Sequence, residues 1–413
     1  MAEKTYIDIV IVGGGFGGVY ALKALHKHTH GKNHIRLTLI NTTNYFLFTP
    51  LLHEVATGGM RADNIIEPLR NVFTCCPLTI HVAKAEHISF EKKQITTNSG
   101  IIFYDYLILA AGSQTTFFNT PGAESYAYTM KSIEDALRFR QRCIANIEQA
   151  LHEKDREKRL ALLHVVIIGG GPTGVEMAAE TAELFFDTMP RYYPKELIED
   201  MRITLVQRMD TLLPGFDARV QKKSLDILEK KGITVLRNTA VEKLEQTTVY
   251  LDTQQTLHTY LPLWVAGIEA NTISSDKHIE KNSKQCLCIE KNMRLNGHHD
   301  VFVIGDMSYC DGQPFPALAQ VATQQGRAVA ENVMATIHGR TLENMHIKIK
   351  GSLVSLGQWR AAGMIGPVFI HGRIAWWIWR TVYLFKVLSP KKRFQIAIDW
   401  TVHLFSKRDI SDI

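Results

Sequence analysis

An α/β fold with two parallel-sheet domains is predicted from three observations. Two glycine runs, Gly13-Gly14-Gly15-Phe16-Gly17-Gly18 and Gly169-Gly170-Gly171-Pro172-Thr173-Gly174, stand 156 residues apart. Each follows a short β-branched run (Ile7 to Val12; Leu163 to Ile168) and precedes a stretch rich in Ala, Leu and Glu (Val19 to Leu25; Val175 to Leu184). Such runs suit buried parallel strands, and such stretches suit helices. The chain's 413 residues also exceed one ordinary hydrophobic core.

The two runs read as Rossmann-like dinucleotide fingerprints. In each, the first glycine permits the tight turn and the second lets the backbone approach a pyrophosphate. The third (Gly18, Gly174) lets the helix pack closely on the sheet. The free N–H groups and positive end of the following helix favour a phosphate. A glycine-rich turn without a ligand explains one such motif well and two in strand–turn–helix context poorly.

Composition excludes several classes. Apolar content of 46% and charged content of 21% are those of a globular protein. A net charge of +6 is spread along the chain, so nucleic acid is not implied. The cysteines (Cys75, Cys76, Cys143, Cys286, Cys288, Cys310) lack a zinc or CxxC spacing, and no metal is expected. With no secretory leader ahead of the first strand, reduced thiols in a cytosol are expected. Cys75-Cys76 and Cys286/Cys288 are redox pairs only as a minor reading beside ordinary thiols.

The rest of the chain repeats one plan. The first unit's second strand, Ile35 to Ile40, ends at Asn41, where an acidic residue usually binds a ribose hydroxyl. Asn41 can still hydrogen-bond a hydroxyl. The apolar loop Asn44 to His53 suits a cover over something flat. A strand from Tyr104 to Leu109 ends in Ala110-Ala111-Gly112, small residues that allow close approach. After a helix over Ile133 to Leu151 and a solvated charged turn over Glu153 to Arg159, the second unit continues with the strand Met201 to Val206. A helix from Ala218 to Lys231, a strand from Ile233 to Leu236 and another from Leu263 to Gly267 complete it, so the chain looks internally duplicated. A strand ending in Gly305-Asp306 follows, and Asp306 stands where open α/β sheets bind ligands. In the helix Pro316 to Gly339, Gln320 and Gln324 share a face.

Taken together these segments resemble the type II NADH:quinone oxidoreductases, two-dinucleotide flavoproteins. The matching stretches are NYFLFTPLLHEVATGG (Asn44 to Gly59), GGGPTGVE (Gly169 to Glu176), VFVIGD (Val301 to Asp306) and AQVATQ (Ala319 to Gln324). The resemblance implies FAD, held non-covalently, on Gly13, Gly15, Gly18, Asn41 and Asp306. Thr49, Ala111, Gly112 and Gln320 would border its ring. NADH would lie on Gly169, Gly171 and Gly174. Gln320 and Gln324 would line a quinone site, and Glu176 would relay protons or link the two sites. It implies domains over residues 1–118 and 296–345 (FAD), 119–295 (NADH) and 346–413 (membrane association and dimerisation). The expected activity is NADH oxidation with two-electron quinone reduction and no proton pumping. A reductase of a soluble acceptor and a slow NADH-binding redox sensor are the alternatives. The cysteine-free loop at Thr49 and His53 argues against a thiol relay and against sulfide oxidation.

Two features refine the expectation. At the end of its second strand the second unit carries Gln207 and Arg208 in place of an acidic residue, so NADPH is expected to be tolerated alongside NADH. The last 40 residues hold an apolar, aromatic run from Ile374 to Leu388, too short to span a bilayer, then Lys391-Lys392-Arg393 and a second apolar segment from Phe394 to Phe405. In that second segment Gln395, Asp399 and His403 form one polar stripe. This pattern suits interfacial helices, so residues 371–405 are expected on a lipid surface. Packing of the pair into the protein itself or into a dimer partner is the other reading. A homodimer, peripheral on the cytoplasmic face of a bacterial inner membrane, is expected.

Overall fold

The computed structural model describes residues 6–31, 34–72, 79–402, 404, 408 and 410. Cys75, Cys76, His403 and Phe405 lie outside them. The chain runs from β1 (Ile7–Val12) through the first glycine turn into α1 (Phe16–Thr29) and returns in β2 (Ile35–Asn41). A short helix, α2 (Leu52–Ala56), precedes β3 (Thr79–Val82) and β4 (Tyr106–Leu109). The duplicated part holds α3 (Ile133–His152), β5 (His164–Ile168), α4 (Pro172–Glu183), β6 (Arg202–Val206), α5 (Ala218–Lys230), β7 (Thr234–Leu236) and β8 (Leu261–Trp264). Then come β9 (Val301–Val303) and α6 (Ala319–Ile337), followed by β10 (Gly351–Ser355), β11 (Ala361–Ile365), β12 (Val368–His371), α7 (Gly372–Lys386) and α8 (Pro390–Val402).

Two compact units result, one of residues 1–47, 66–114 and 268–349, the other of 48–65, 115–267 and 350–413. Residues 48–65, expected with the first nucleotide domain, group with the second unit, and 268–295 group with the first.

In the first unit a parallel sheet runs in the order β9-β4-β1-β2-β3. Its core is the apolar strand sequence itself: Ile9, Ile11, Leu39, Leu107 and Phe302 are fully buried. Helix α1 meets α6 so closely that a Cβ on Gly326 would stand 2.4 Å from the Gly17 carbonyl oxygen. A helical glycine, usually destabilising, is here required by the contact of two helix backbones.

The second unit repeats the plan with the parallel order β7-β6-β5-β8. Val166, Ile168, Val206 and Trp264 join Val249 and Leu251 in one buried cluster. Helix α3 begins with a capping box: Ser132 Oγ accepts from Asp135 N, and Asp135 Oδ2 accepts from Ser132 N, both at 3.1 Å. The charged segment expected as a turn is partly helical (Arg156–Leu162), because Asp155 Oδ1 accepts from Glu157 N at 2.9 Å and caps it.

The C-terminal part departs furthest from expectation. An antiparallel sheet β10-β11-β12 precedes the two helices. Its middle strand reads Ala-Ala-Gly-Met-Ile and shows no alternation of large apolar residues, which hid it from pattern reading. Trp376, Trp379, Ile396 and Trp400 are buried within the second unit, so each helix packs one face there. The polar stripe of α8 is on the inward side: Asp399 accepts from Asn64 Nδ2, and Gln395 Oε1 is buried. Facing outward are Phe394, Ile398 and Val402 on α8, with Ile374, Trp377 and Phe385 on α7, each 45–71% exposed. No helix among the described residues is long and apolar enough to cross a membrane.

Candidate functional site

Both glycine turns divide their labour in the same way. Gly13 has φ +109°, and a Cβ there would lie 2.2 Å from the Ala110 carbonyl oxygen. A Cβ on Gly18 would lie 1.8 Å from the Gly13 oxygen. Gly15, in contrast, meets nothing within 4 Å. In the second unit Gly169 (φ +114°) and Gly174 are confined alike, and Gly171 faces open space. Gly15 and Gly171 are the N-caps of α1 and α4, which have no side-chain cap and no acidic residue in the first turn. Two helix N-termini thus present unsatisfied N–H groups at a glycine with room in front of it. That cradle fits the pyrophosphate of a dinucleotide.

The residues ending the second strands hold these turns together. Asn41 Oδ1 accepts from Gly14 N at 2.7 Å, while its Nδ2 donates to Thr43 O and Oγ1. Gln207 Oε1 accepts from Gly170 N at 3.1 Å, and its Nε2 donates to Thr211 O at 3.0 Å. The two amides therefore occupy equivalent places and brace the turn itself. Each carbonyl keeps a second lone pair for a hydroxyl. Arg208, next along, is exposed.

The other predicted groups of the first unit lie at the same end of its sheet. Asp306, on a turn just after β9, accepts from Ser113 Oγ at 2.7 Å. Ala111 and Gly112 follow β4. Asn271 fastens them, its Nδ2 donating to Ala111 O at 2.7 Å and its N to Gly112 O at 3.0 Å. Both glutamines stand on the first two turns of α6. Gln324 Nε2 donates to Lys348 O at 3.0 Å and its Oε1 accepts from Lys348 N at 3.1 Å. Gln320, one turn earlier, is half-buried.

Sequence reading missed Gln325. This residue is fully buried; its Oε1 accepts from Gly305 N at 2.7 Å and so fixes the turn that carries Asp306. The signal was present, because Gln325 stands on the apolar stripe with Val321, Ala322 and Val329, and a polar group there must be hydrogen-bonded.

In the second unit Thr49 is exposed at the start of a short 3₁₀ turn that leads into α2. Glu176 lies in the second turn of α4, beyond the first-turn N–H groups, so the helix dipole is not its reason for being there. Its Oε1 accepts from Ser355 N at 3.1 Å. Its Oε2 stands 3.6 Å from His53 Nδ1, too long for a hydrogen bond. Burial pushes the Glu176 carboxyl up to about 8. The same burial, with Arg408 adding, lowers His53 to about 3. At neutral pH this is a protonated acid beside a neutral imidazole, not an ion pair. His53 Nε2 is buried with no partner among the described residues. Glu176 thus belongs to the second unit, and Gln320 and Gln324 to the first.

A family model of pyridine nucleotide-disulphide oxidoreductases matches residues 7–326, and one of the NDH2 C-terminal domain matches residues 349–409. The type II NADH:quinone oxidoreductase Ndh of Mycobacterium tuberculosis is 30% identical, over 97% of this chain and 88% of its own length. A probable mitochondrial NADH-ubiquinone oxidoreductase of Schizosaccharomyces pombe is 29% identical, over 100% of this chain and 84% of its own. The solved structure of NDH2 from Plasmodium falciparum in complex with NADH shares the fold, with TM-score 0.91, 23% identity, and coverage of 98% and 99% of the two chains. The sulfide:quinone oxidoreductase of Aquifex aeolicus shares it more loosely, with TM-score 0.73, 19% identity, and coverage of 98% and 96%.

Proposed function

We infer that this chain, which belongs to the pyridine nucleotide-disulphide oxidoreductases and within them to the type II NADH:quinone oxidoreductases, oxidises NADH and reduces a quinone without pumping protons. The observation that carries this reading is the pair of equivalent open glycine cradles, one in each unit, on a chain of that family. FAD, when bound, would supply the two-electron redox chemistry between NADH and the quinone. The chain's own residues bind and orient. Gly13, Gly15 and Gly18 cradle the FAD pyrophosphate, with Asn41 toward a ribose, Asp306 toward the ribityl or phosphate portion, and Thr49, Ala111, Gly112 and Gln320 toward the ring. Gly169, Gly171 and Gly174 serve NADH in the same way. Gln320 and Gln324 are assigned to the quinone. Glu176, protonated at neutral pH by its burial, is assigned to the delivery of protons. Residues 1–118 and 296–345 are assigned to FAD binding, 119–295 to NADH binding and 346–413 to membrane association and dimerisation.

Two finer features are proposed with it. An acidic residue in place of Gln207 would repel a ribose 2′-phosphate about 4 Å away by up to about 4 kcal/mol per unit charge at an effective dielectric of 20. Its absence, with Arg208 exposed beside it, supports use of NADPH as well as NADH. The outward residues of α7 and α8 support peripheral attachment to a lipid surface. A homodimer on the cytoplasmic face of a bacterial inner membrane is proposed with it. Steady-state NADH oxidation by the purified, FAD-loaded protein tests the central reading. Turnover should rise many-fold on adding ubiquinone or menaquinone analogues, and a rate indifferent to every quinone refutes it.

A further inference from the structure

The second unit contains a second group of buried charges, separate from the nucleotide cradle. Helix α4 carries Glu176, Glu180, Glu183 and, in the wider π-type turn that continues it, Asp187; these fall on one helical face. Such turns often mark functional stretches of helix. Arg408, from the C-terminal tail, binds Glu180 and Glu183, the latter at 2.7 Å, and donates to Thr57 Oγ1 at 2.5 Å. Lys231 Nζ reaches Glu183 at 2.8 Å. The ions Glu180, Glu183, Lys231 and Arg408 are therefore mutually paired.

Glu54 is different. It is 6% exposed, and only its Oε2 has a hydrogen bond among the described residues, from Trp400 Nε1 at 2.7 Å. Its neighbours are Arg380 on α7, Glu180 on α4, Trp400 on α8 and Arg408 on the tail. A cavity of about 60 Å³ opens beside it, lined also by Glu180, Glu183, Ser355, Arg380 and the solvent-exposed Asp187. A water needs only roughly 10–15 Å³ in such a polar site, so a short file of waters fits. Ser355, which lines the cavity, is the residue whose N–H holds Glu176. Glu54 directly follows His53, the neighbour of Glu176 on the other side.

We propose that this cavity is the route by which protons reach Glu176 during quinone reduction, and that Glu54 is the carboxyl that holds each proton on the way. The proposal rests on the quinone-reductase reading above. Reduction of a quinone to a quinol takes up two electrons and two protons. For each proton, the Glu54 carboxyl protonates the Glu176 carboxylate left by delivery and is itself reprotonated from the cavity waters and bulk solvent. Burial suits Glu54 to this, since it pushes the group up to about 7, with Arg380 opposing and Glu180 assisting.

Glu54→Gln in the full, FAD-loaded chain tests the route, because glutamine mimics the protonated acid and can still accept from Trp400. Stopped-flow flavin reduction by NADH should stay within about twofold of wild type. Reoxidation by a water-soluble ubiquinone analogue should slow at least fivefold at pH 7 and lose an inflection near pH 7, which Glu54→Asp should restore. Reoxidation at the wild-type rate with the wild-type pH profile overturns the proposal. A second readout needs no turnover and no change at Glu54. In Glu176→Gln protein, the infrared band of a buried protonated carboxyl should titrate near pH 7; absence of that band also overturns the proposal. Wild-type protein that is reduced by NADH but reoxidised by no quinone sinks the functional reading instead, and the infrared result stands apart from it.

Discussion

Glu176→Gln isolates what burial does to one carboxyl. The wild-type side chain is 12% exposed and is pushed up to about 8, mainly by burial, against 4.5 for a free glutamate. The folded state therefore binds a proton where the unfolded chain has released it. This stabilising contribution is full below pH 4.5 and is lost as pH rises to about 8. Between pH 6 and pH 9 the loss spans about two pH units at roughly 1.4 kcal/mol each, or about 3 kcal/mol. His53 has the opposite sign: lowered from 6.5 to about 3, its contribution is full above pH 6.5 and is lost on acidification. Glu54, up to about 7, fades between pH 4.5 and 7. Both are present in wild type and variant alike, so the comparison cancels most of their effect. Glutamine keeps an acceptor for Ser355 N–H and removes the ionisation. Urea unfolding of both proteins at pH 6 and pH 9 measures the difference. Wild type should lose about 3 kcal/mol more than the variant over that range. A gap that is the same at both pH values refutes the reasoning.

Three other perturbations follow from the geometry. Gly15→Ala has open space for its methyl, so its apoprotein should keep the thermal midpoint of wild-type apoprotein while the loaded variant loses most of its FAD on gel filtration; Gly171→Ala should keep FAD and weaken NADH at least tenfold. Retention of both ligands at wild-type affinity counts against the cradle assignment. In wild type, kcat/KM for NADH should exceed that for NADPH by less than a thousandfold, and Gln207→Glu should widen the ratio at least tenfold through the NADPH value; a wider wild-type ratio rejects the specificity argument. Phe394→Asp with Ile398→Asp removes two exposed apolar side chains, each worth roughly 1.5–3 kcal/mol when buried in lipid. Flotation with anionic liposomes should fall sharply while flavin reduction by NADH persists, and unchanged flotation rules out this surface as the anchor. Deleting everything from Lys350 onward is a poorer test, because that segment supplies buried Trp376, Trp379 and Trp400 to the second unit.

Much of the fold was legible because its signals are local. A β-branched run, three glycines at fixed spacing and an alanine-rich helix lie within about 20 residues, and each piece is fixed by nearest-neighbour sterics. The same holds for the capping box at Ser132. The misses have a different origin. Strand β11 is built from small residues whose burial comes from β10 and α7, not from its own pattern. Gln325 and Asn271 act through hydrogen bonds to chain segments 20 and 160 residues away. No window on the sequence holds both ends of such a bond.

The sequence by itself determined that two glycine turns of one build exist, where each begins and which glycines are confined in them, because backbone conformation and close packing at those positions admit little else. The tertiary structure decided which face of α8 points outward, turning Asp399 inward onto Asn64 and leaving Phe394 and Ile398 exposed. It also decided the protonation of Glu54, Glu176 and His53. A carboxyl's affinity for its proton depends on the solvent and charges removed or brought near by folding, and those come from helices and a tail far apart along the chain.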